Sequence, residues 1–162
     1  DLLAAEAGND GPGQEAYLDR LLDLLLIAVL RTWFDRDENA PTWWHAEHDP
    51  MVGPALKLIY NNPAHPWTVA NLAAAVGSSR AVFASRFAEQ VGEPPIAFLT
   101  SWRLALAADL LRSSQATIAA VARQVGYSTP FALSSAFKRA HGVSPNTYRA
   151  TASYPADALE AL

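Results

Sequence analysis

The sequence predicts an all-α fold, in which two helix-turn-helix subdomains are joined by a long linker helix and preceded by an N-terminal helical segment. Three observations indicate it: residues 117–142 read as helix, glycine turn and second helix, the pattern recurs upstream, and apolar residues elsewhere recur at helical spacing. We expect residues 1–50 to end one domain and form a link, residues 51–150 to hold both motifs (about 68–92 and 117–142), and residues 151–162 to form a tail.

The composition is that of a folded protein. Of the 162 residues, 51% are hydrophobic and 17% are charged, which favours a globular chain over a disordered one. Cysteine is absent, so no disulfide or thiolate metal site can form, as in proteins of a reducing compartment. The sequence contains no initiator methionine and no recognisable signal peptide, and we expect it to be a fragment or a trimmed chain.

Charge is distributed very unevenly along the chain. The net charge is −4, but residues 1–50 hold three arginines against eleven acids, and residues 151–162 add two acids. Residues 51–150 hold nine lysines and arginines against three acids. The positive charge therefore lies with the two helix-turn-helix patterns, as a polyanionic partner requires.

A strongly apolar helix is predicted over residues 14–34, after the turn-rich segment 8–13. That turn has glycines but lacks the lysine of a phosphate-binding loop, so we interpret it as a linker. The apolar run in the helix is too short to span a bilayer, and no membrane association is predicted. The helix is either buried in one core or forms a homodimer seam, and we favour a seam made by Leu18, Leu22, Leu25 and Val29.

Residues 35–50 break the helical periodicity and indicate a loop or a short helical link. A calcium loop is rejected because alanines stand where its glycine and its bidentate glutamate belong. A metal site could use His45, Glu47, His48 and Asp49, but a solvated polar link is favoured, since their order matches no hydrolytic zinc motif. An amphipathic helix follows over residues 52–62.

The first motif has its second helix over residues 79–91, with Ser79 as the N-cap. Phe83, Phe87 and Val91 are expected to point inward. The side chains expected to point outward from the N-terminal half, the part that reaches base edges in a major groove, are Arg80, Ala81, Ala84 and Ser85. Ser79 and Arg86 are also predicted to contact DNA, although Arg80 and Arg86 could instead be plain surface charges.

The linker helix is predicted from Pro94 and Pro95 through Leu111, with a buried set of Phe98, Leu99, Trp102, Leu106, Leu110 and Leu111. At 1.5 Å per residue its ~18 residues span roughly 27 Å. This is near the ~34 Å between successive major-groove faces on one side of B-DNA. The helix could therefore space two recognition helices along one face of a duplex, while Arg103 and Arg112 could pair with acids or reach phosphate.

The second motif begins with a helix over residues 118–125, with Thr117 as N-cap and Gly126 at the turn. Its second helix is predicted over residues 130–141, where Leu133 and Phe137 share the inward face. The remaining circumference carries Ser134, Ser135, Lys138 and Arg139.

The two motifs are copies of one another. The segments 68–77 and 117–126 share a threonine, two alanines, a valine and the turn glycine at matching positions. Downstream, the spacing of Phe83 and Phe87 matches that of Leu133 and Phe137, and both copies continue with a glycine, a proline and an aromatic residue. A repeat of about fifty residues that keeps turn and core positions indicates a duplicated structural unit.

These residues resemble the AraC/XylS family of bacterial transcription regulators over about residues 51–150. The positions that carry the resemblance are Trp67-Thr68, Ser79-Arg80, Phe83, Phe87, the run from Leu99 to Leu111 with Trp102-Arg103, Val121-Ala122, Gly126-Tyr127, Phe137-Lys138-Arg139, Gly142, Pro145 and Tyr148-Arg149. The upstream part, with its GPG turn, its LLDLLLIAVL helix and Asp49-Pro50, resembles the end of a cupin-type effector domain.

The resemblance implies sequence-specific binding to promoter DNA through recognition helices in adjacent major-groove segments. The groove-facing sites would be Ala81, Ala84 and Ser85 in the first motif, and Phe131, Ser134 and Ser135 in the second. Family members usually carry arginine where Ser135 stands, a polar residue near Pro130 or Phe131, and phenylalanine in place of Leu133. The second motif is therefore expected to contact mainly phosphates through Lys138 and Arg139, and thymine methyl groups.

The resemblance further implies a homodimer through residues 14–34, an effector bound by a preceding domain, RNA polymerase as a candidate partner, and a cytoplasmic protein associated with the bacterial nucleoid. No cofactor and no enzymatic activity are predicted, because the four histidines lie in links or at helix ends and no catalytic constellation is recognisable. The alternative function is a helical protein-interaction module without DNA binding.

Overall fold

The computed structural model describes residues 13–34 and 42–152. Its helices are α1 (Gln14–Phe34), α2 (Thr42–His48), α3 (Val52–Asn61), α4 (Val69–Ala75), α5 (Arg80–Val91), α6 (Pro95–Ser113), α7 (Ile118–Gln124), α8 (Pro130–His141) and α9 (Pro145–Ala152). No strand occurs in these two ranges, and the predicted all-α class is confirmed. The chain divides into two compact units, Asp1–His45 and Ala46–Leu162. The predicted turn 8–13 and tail 151–162 lie almost wholly outside the described residues.

In the first unit, α1 has the bounds that the sequence predicts, but no side chain on it is buried. Leu22, Leu25 and Val29 are 54%, 47% and 54% exposed, and Leu18 is half-buried. The alternative, in which one core buries this helix, is therefore not seen among the described residues, and the favoured homodimer seam stays a prediction. Apolar side chains cover more than one stripe of α1, and the described part of its unit leaves most of them open to solvent.

The second unit begins within α2, upstream of the predicted link boundary. Ala46 is 1% exposed and belongs to the hydrophobic core around α3. The favoured interpretation of a solvated link is wrong at Asp49, which is only 7% exposed. Its Oδ1 accepts hydrogen bonds from the amides of Met51 and Val52, at 2.8 and 2.9 Å, and so supplies partners to the first amides of α3.

The first core joins α3, α4, α5 and the N-terminal half of α6. Phe83 and Phe87, predicted to point inward, are both fully buried, with ring centroids 5.6 Å apart. Phe98 from α6 meets Phe87 edge-on at 5.8 Å, a favourable arrangement of two aromatic rings. Val91 is half-buried against the same core. These contacts fix which side of α5 faces outward.

The second core joins α7, α8 and the C-terminal half of α6, and Tyr148 of α9 packs against it. Leu133 and Phe137 are fully buried, as predicted, and Tyr148 meets the ring of Phe137 edge-on at 5.3 Å. The helix α8 keeps its predicted bounds because each end carries a strong signal. Pro130 occupies the first turn, and Gly142 ends the helix in the left-handed conformation, with φ of +77°.

The linker helix α6 contributes to both cores in turn. Leu99 belongs to the first core, whereas Leu104, Ala107, Ala108 and Leu111 belong to the second. The predicted buried set correctly included Leu99 and Leu111, but Phe98, Trp102, Leu106 and Leu110 are only half-buried. It also missed Leu104 and the two alanines. A single stripe along α6 cannot describe it, since its partner changes between residues 99 and 104.

Candidate nucleic-acid interface

The first candidate recognition helix is α5. Ser79 caps it, because its hydroxyl accepts a hydrogen bond from the amide of Val82 at 3.3 Å. In its N-terminal half, Arg80, Ala81 and Ser85 are exposed, and Ala84 is half-buried. The outward set predicted from the sequence therefore lies on one accessible surface.

Val82 belongs to this surface too, although the sequence analysis did not single it out. The side chain is 56% exposed despite being apolar. A signal was available, because Val82 lies beside Phe83 but outside the inward stripe that Phe83 and Phe87 define. An exposed branched methyl pair at the start of α5 suits contact with a thymine methyl group.

Arg86 differs from the other predicted DNA contacts. Its Nε donates a hydrogen bond to Oδ2 of the buried Asp49 at 2.8 Å, and its Nη2 forms an ion pair with the same oxygen at 2.7 Å. Burial alone would raise the pKa of Asp49, but the amides of Val52 and Met51 and the guanidinium of Arg86 outweigh it, so this pKa lies below its ordinary value of 3.8. The arginine thus neutralises a buried carboxylate, although 47% of its own side chain is exposed.

The second candidate recognition helix is α8, capped by the hydroxyl of Thr129, which accepts from the amide of Ala132 at 3.1 Å. Phe131 is 81% exposed, the largest exposure among the large apolar side chains of the described residues. Ser135, Lys138 and Arg139 are exposed as well, whereas Ser134 is half-buried. The predicted residues of the second motif are thus accessible around an aromatic side chain.

Arginines on the other helices have different environments. Arg103 takes neither partner considered from the sequence: it donates to the backbone carbonyls of Pro63 and His65, each at 2.8 Å. Nη2 of Arg112 lies 3.7 Å from Oδ1 of Asp109, and its Nη1 donates a hydrogen bond to the hydroxyl of Tyr148 at 3.3 Å. Arg149 donates to the carbonyl of Ala116 at 2.5 Å. Arg123, which the sequence analysis did not name, is exposed in the last turn of α7.

The described ranges offer little for other chemistries. No group of three or more His, Asp or Glu side chains in residues 13–34 and 42–152 could hold a metal ion. Nor is any helix in those ranges long and apolar enough to cross a membrane. Two capped helices, α5 and α8, carry cations and apolar side chains on accessible faces.

Comparison with known proteins agrees with this geometry. A helix-turn-helix domain model matches residues 72–151, and a cupin model matches residues 1–35. One similar solved structure is the crystal structure of the DNA-binding domain of AdpA, the global transcriptional factor, in complex with a target DNA. Its sequence is 33% identical to this chain, and the match has a TM-score of 0.56 and covers 60% of this chain and 91% of that domain. A putative AraC-like transcription regulator of Streptomyces antibioticus is 45% identical over 132 residues. The chain belongs to the AraC family.

A second solved AraC-type relative extends the match. The C-terminal domain of AraT, a response regulator from Geobacillus stearothermophilus, is 31% identical, with a TM-score of 0.59 over 64% of this AraC-family chain and 85% of that domain. The alignment with the Streptomyces antibioticus relative covers 81% of this chain but only 44% of the relative. The chain thus spans less than half the length of that regulator.

Proposed function

We propose that the chain is the DNA-binding part of a transcription regulator and places α5 and α8 in adjacent major-groove segments of a promoter. One observation carries the proposal: two helices that are copies of one structural unit are each capped, each anchored by two buried side chains, and each open on the outer face. The AdpA domain, which shares this fold, is described in complex with a target DNA.

The two helices differ in the contacts that we assign to them. Reading of base edges would fall to Arg80, Ala81, Ala84 and Ser85 on α5, with Val82 added from its exposure. On α8, Phe131, Ser134 and Ser135 offer an aromatic ring and two hydroxyls, while Lys138 and Arg139 bind phosphates. We leave Arg86 out of the DNA contacts, because its guanidinium is engaged by Asp49.

We further propose that α1 forms a homodimer seam. The four seam positions repeat along one side of the helix, and three of them are close to half exposed or more within the single chain. Apolar side chains in such numbers are unfavourable in water and favour a second surface. An effector-binding domain and contact with RNA polymerase remain proposals drawn from the family, as does activity at the bacterial nucleoid.

This function is one of binding and not catalysis. A helical protein-interaction module is the alternative, and it makes a different quantitative prediction. A DNA-binding domain loses affinity steeply as salt increases, because cations on the protein release the counterions of the phosphates. A module that binds only proteins would retain promoter DNA weakly at any salt concentration.

The test is binding-site selection on random duplexes, followed by mobility shift of the selected and a scrambled duplex over a series of salt concentrations. We expect tight, steeply salt-dependent retention of the selected duplex. Replacing both phosphate-binding cations of α8, Lys138→Glu with Arg139→Glu, should weaken both duplexes alike and lower the salt slope by about 2. Lys57→Glu, an exposed lysine on α3, controls for net charge.

Two outcomes would contradict the proposal. Weak retention of every duplex at every salt concentration would reject DNA binding and favour the protein-interaction module. If the double charge reversal weakened only the selected duplex, DNA binding would stand, but Lys138 and Arg139 would be base readers instead of phosphate contacts.

A further inference from the structure

The two halves of the DNA-binding unit have separate hydrophobic cores. The first core takes side chains from Ala46 to Leu99 and the second from Leu104 to Phe137, and α6 is the element common to both. Each half packs on α6 through its own core, so no buried side chain is shared directly between the halves, and contacts between them add a further constraint on their relative direction. The relative direction of α5 and α8 therefore depends on contacts near the point where α6 passes from one core to the other.

Arg103 lies at that point on α6. It is half-buried, and its Nε and Nη2 donate to the carbonyls of Pro63 and His65, which belong to the loop between α3 and α4 of the first half. A guanidinium can hold two carbonyls at once because its donors have a fixed planar geometry. The indole Nε1 of Trp67 donates to the carbonyl of Asn62 at 3.0 Å and closes the loop on itself, and Trp67 packs against the first core.

The opposite side of this loop contacts the turn of the second motif. Gly126 has a φ of +85°, and a Cβ added to it would lie 2.7 Å from the Cα of Ala64 and 2.8 Å from Nη2 of Arg103. The missing side chain is thus what allows the loop and the arginine to approach the turn so closely. Burial raises the pKa of the neighbouring Tyr127, and the positive charges of Arg103 and Arg139 oppose that rise.

We propose that Arg103, the loop Pro63–His65 and Gly126 form an interdomain clamp, with Arg103 as its positioning residue, that fixes the direction of α8 relative to α5. Arg103 ties α6 to this loop, and both the loop and the guanidinium pack against the turn at Gly126. If α6 and the second motif turned together relative to the first half, the two hydrogen bonds would break, and if the second motif turned about α6, the tightly packed contact at Gly126 would open. Every group in the clamp belongs to the second compact unit of the chain.

The duplicated turn offers a matched control. Gly77 occupies in the first motif the position that Gly126 occupies in the second, and its φ is +69°, but a Cβ added there would meet nothing within 4 Å. Alanine at either position bears the strain of a left-handed backbone. At Gly126 the loop must also move by about 1 Å, because the added Cβ would otherwise lie 2.7 Å from the Cα of Ala64, whereas ordinary carbon–carbon contacts are ~3.5–4.0 Å.

The test measures the distance between the two recognition helices without DNA. The chain has no cysteine, so Ser85→Cys with Ser135→Cys places one spin label on α5 and one on α8, and pulsed electron resonance reports their distance distribution. We expect Gly77→Ala to leave the distribution of this doubly labelled parent unchanged. Gly126→Ala should shift its mean by about 1 Å or more, or broaden it, because the loop is displaced.

A second variant covers the case in which Gly126→Ala does not fold. Arg103→Lys keeps the charge but cannot bridge two carbonyls in the same way, and it should broaden the distribution while the helical signal in circular dichroism stays that of the parent. If Arg103→Lys, or a folded Gly126→Ala, gave a distribution as narrow and as centred as that of Gly77→Ala, the clamp would be refuted.

One consequence rests on the proposed DNA-binding function. Wild-type protein should lose affinity sharply when one base pair is inserted between the two segments of its selected duplex, whereas Arg103→Lys should tolerate the insertion better. Since the spin-label distances are measured in the absence of DNA, failure of DNA binding would leave the clamp standing, and failure of the clamp would leave DNA binding standing.

Discussion

Arg86 donates a hydrogen bond from Nε to Oδ2 of Asp49, which lies 37 residues earlier in the chain, and its Nη2 forms an ion pair with the same oxygen. The other oxygen of Asp49 accepts the amides of Met51 and Val52 at the start of α3. One buried carboxylate therefore binds the first amides of α3 and also holds Arg86 of α5. This ion pair holds α5 near its middle, and the buried Phe83 and Phe87 hold its inner face. The opposite face of α5 is thereby left open to solvent.

Arg80 and Arg86 should show opposite phenotypes, although both are arginines on α5. Arg86→Ala leaves the buried carboxylate of Asp49 with only its amide partners, so we expect a loss of about 1–2 kcal/mol in the free energy of unfolding. Arg80→Ala on the exposed face should change it by less than about 0.5 kcal/mol, yet weaken binding to the selected duplex. Urea unfolding and mobility shift, both well below the melting temperature, measure the two effects. A folded Arg86→Ala protein that bound DNA as poorly as Arg80→Ala would return Arg86 to the DNA contacts.

Stability at low pH should depend on Asp49. Its pKa in the folded protein is depressed below the ordinary value of 3.8, so the stability that it contributes is fully present above that value and is lost as pH falls through the folded pKa. Asp49→Asn should lower stability at neutral pH and flatten its decline below about pH 4. Asp109→Asn is the control, because the carboxylate of Asp109 is exposed and lies 3.7 Å from Arg112. If Asp109→Asn flattened the decline of stability at low pH as much as Asp49→Asn does, the role of Asp49 would be contradicted.

Gly53 should resist a substitution that usually stabilises a helix. Gly→Ala inside a helix typically gains about 0.5–1 kcal/mol. At Gly53, however, an added Cβ would collide with the backbone carbonyl oxygen of Glu47, at the end of α2. We expect Gly53→Ala to destabilise the protein instead, by about 1–3 kcal/mol, since the neighbour is backbone and cannot turn aside. The melting temperature of Gly53→Ala measures this effect, and we expect it to decrease. An increase would show that α2 does not pack against α3 in this way.

Substitutions of Phe131 and Phe137 on α8 test DNA contact and folding separately. Phe137 is fully buried, and Phe137→Ala should cost about 3–5 kcal/mol of stability. Phe131 is 81% exposed, so Phe131→Ala should leave the melting temperature nearly unchanged while lowering affinity for the selected duplex. Thermal melting and mobility shift on the same preparations measure both quantities. Unchanged affinity in Phe131→Ala would remove this ring from the proposed interface.

The seam on α1 can be tested against another side of the same helix. Leu25→Asp changes a seam position that is 47% exposed, and Leu24→Asp changes a residue outside the seam that is 63% exposed. If α1 forms a homodimer, Leu25→Asp should raise the dissociation constant at least about tenfold, equivalent to 1.4 kcal/mol. Leu24→Asp should have a much smaller effect. Sedimentation velocity over a dilution series gives the constants, and a parent chain that is monomeric throughout would reject the seam.

Local signals explain why much of the fold could be predicted from the sequence. The bounds of α8 follow from Pro130 and Gly142, and the inward faces of α5 and α8 follow from paired apolar residues four positions apart. Thr117 caps α7 as predicted, since its hydroxyl accepts the amide of Ala120 at 3.2 Å. Each of these features depends on residues within one turn of each other, where hydrogen-bonding and periodicity rules apply directly.

Contacts between distant residues could not be predicted in the same way. Nothing in the residues around Arg86 distinguishes a cation that contacts DNA from one that neutralises a carboxylate 37 positions away. The interpretation of Arg103 failed for a related reason, because backbone carbonyls are present everywhere and carry no sequence signature. Leu104 was missed because the apolar stripe of α6 was assigned to one core, whereas the helix serves two. Assignment of the DNA contacts themselves stays a prediction.

The two cores take no buried side chain in common, and this has a consequence for how such a protein can evolve. A mutation that repacks one interior and re-tilts its recognition helix leaves the other interior intact. Selection can then alter the preference for one half of an operator while the other half is still read as before. If α5 and α8 read DNA and Arg103 forms the clamp, as we propose, the positions around Arg103 must stay mutually compatible while the domain acquires new target sites one half at a time.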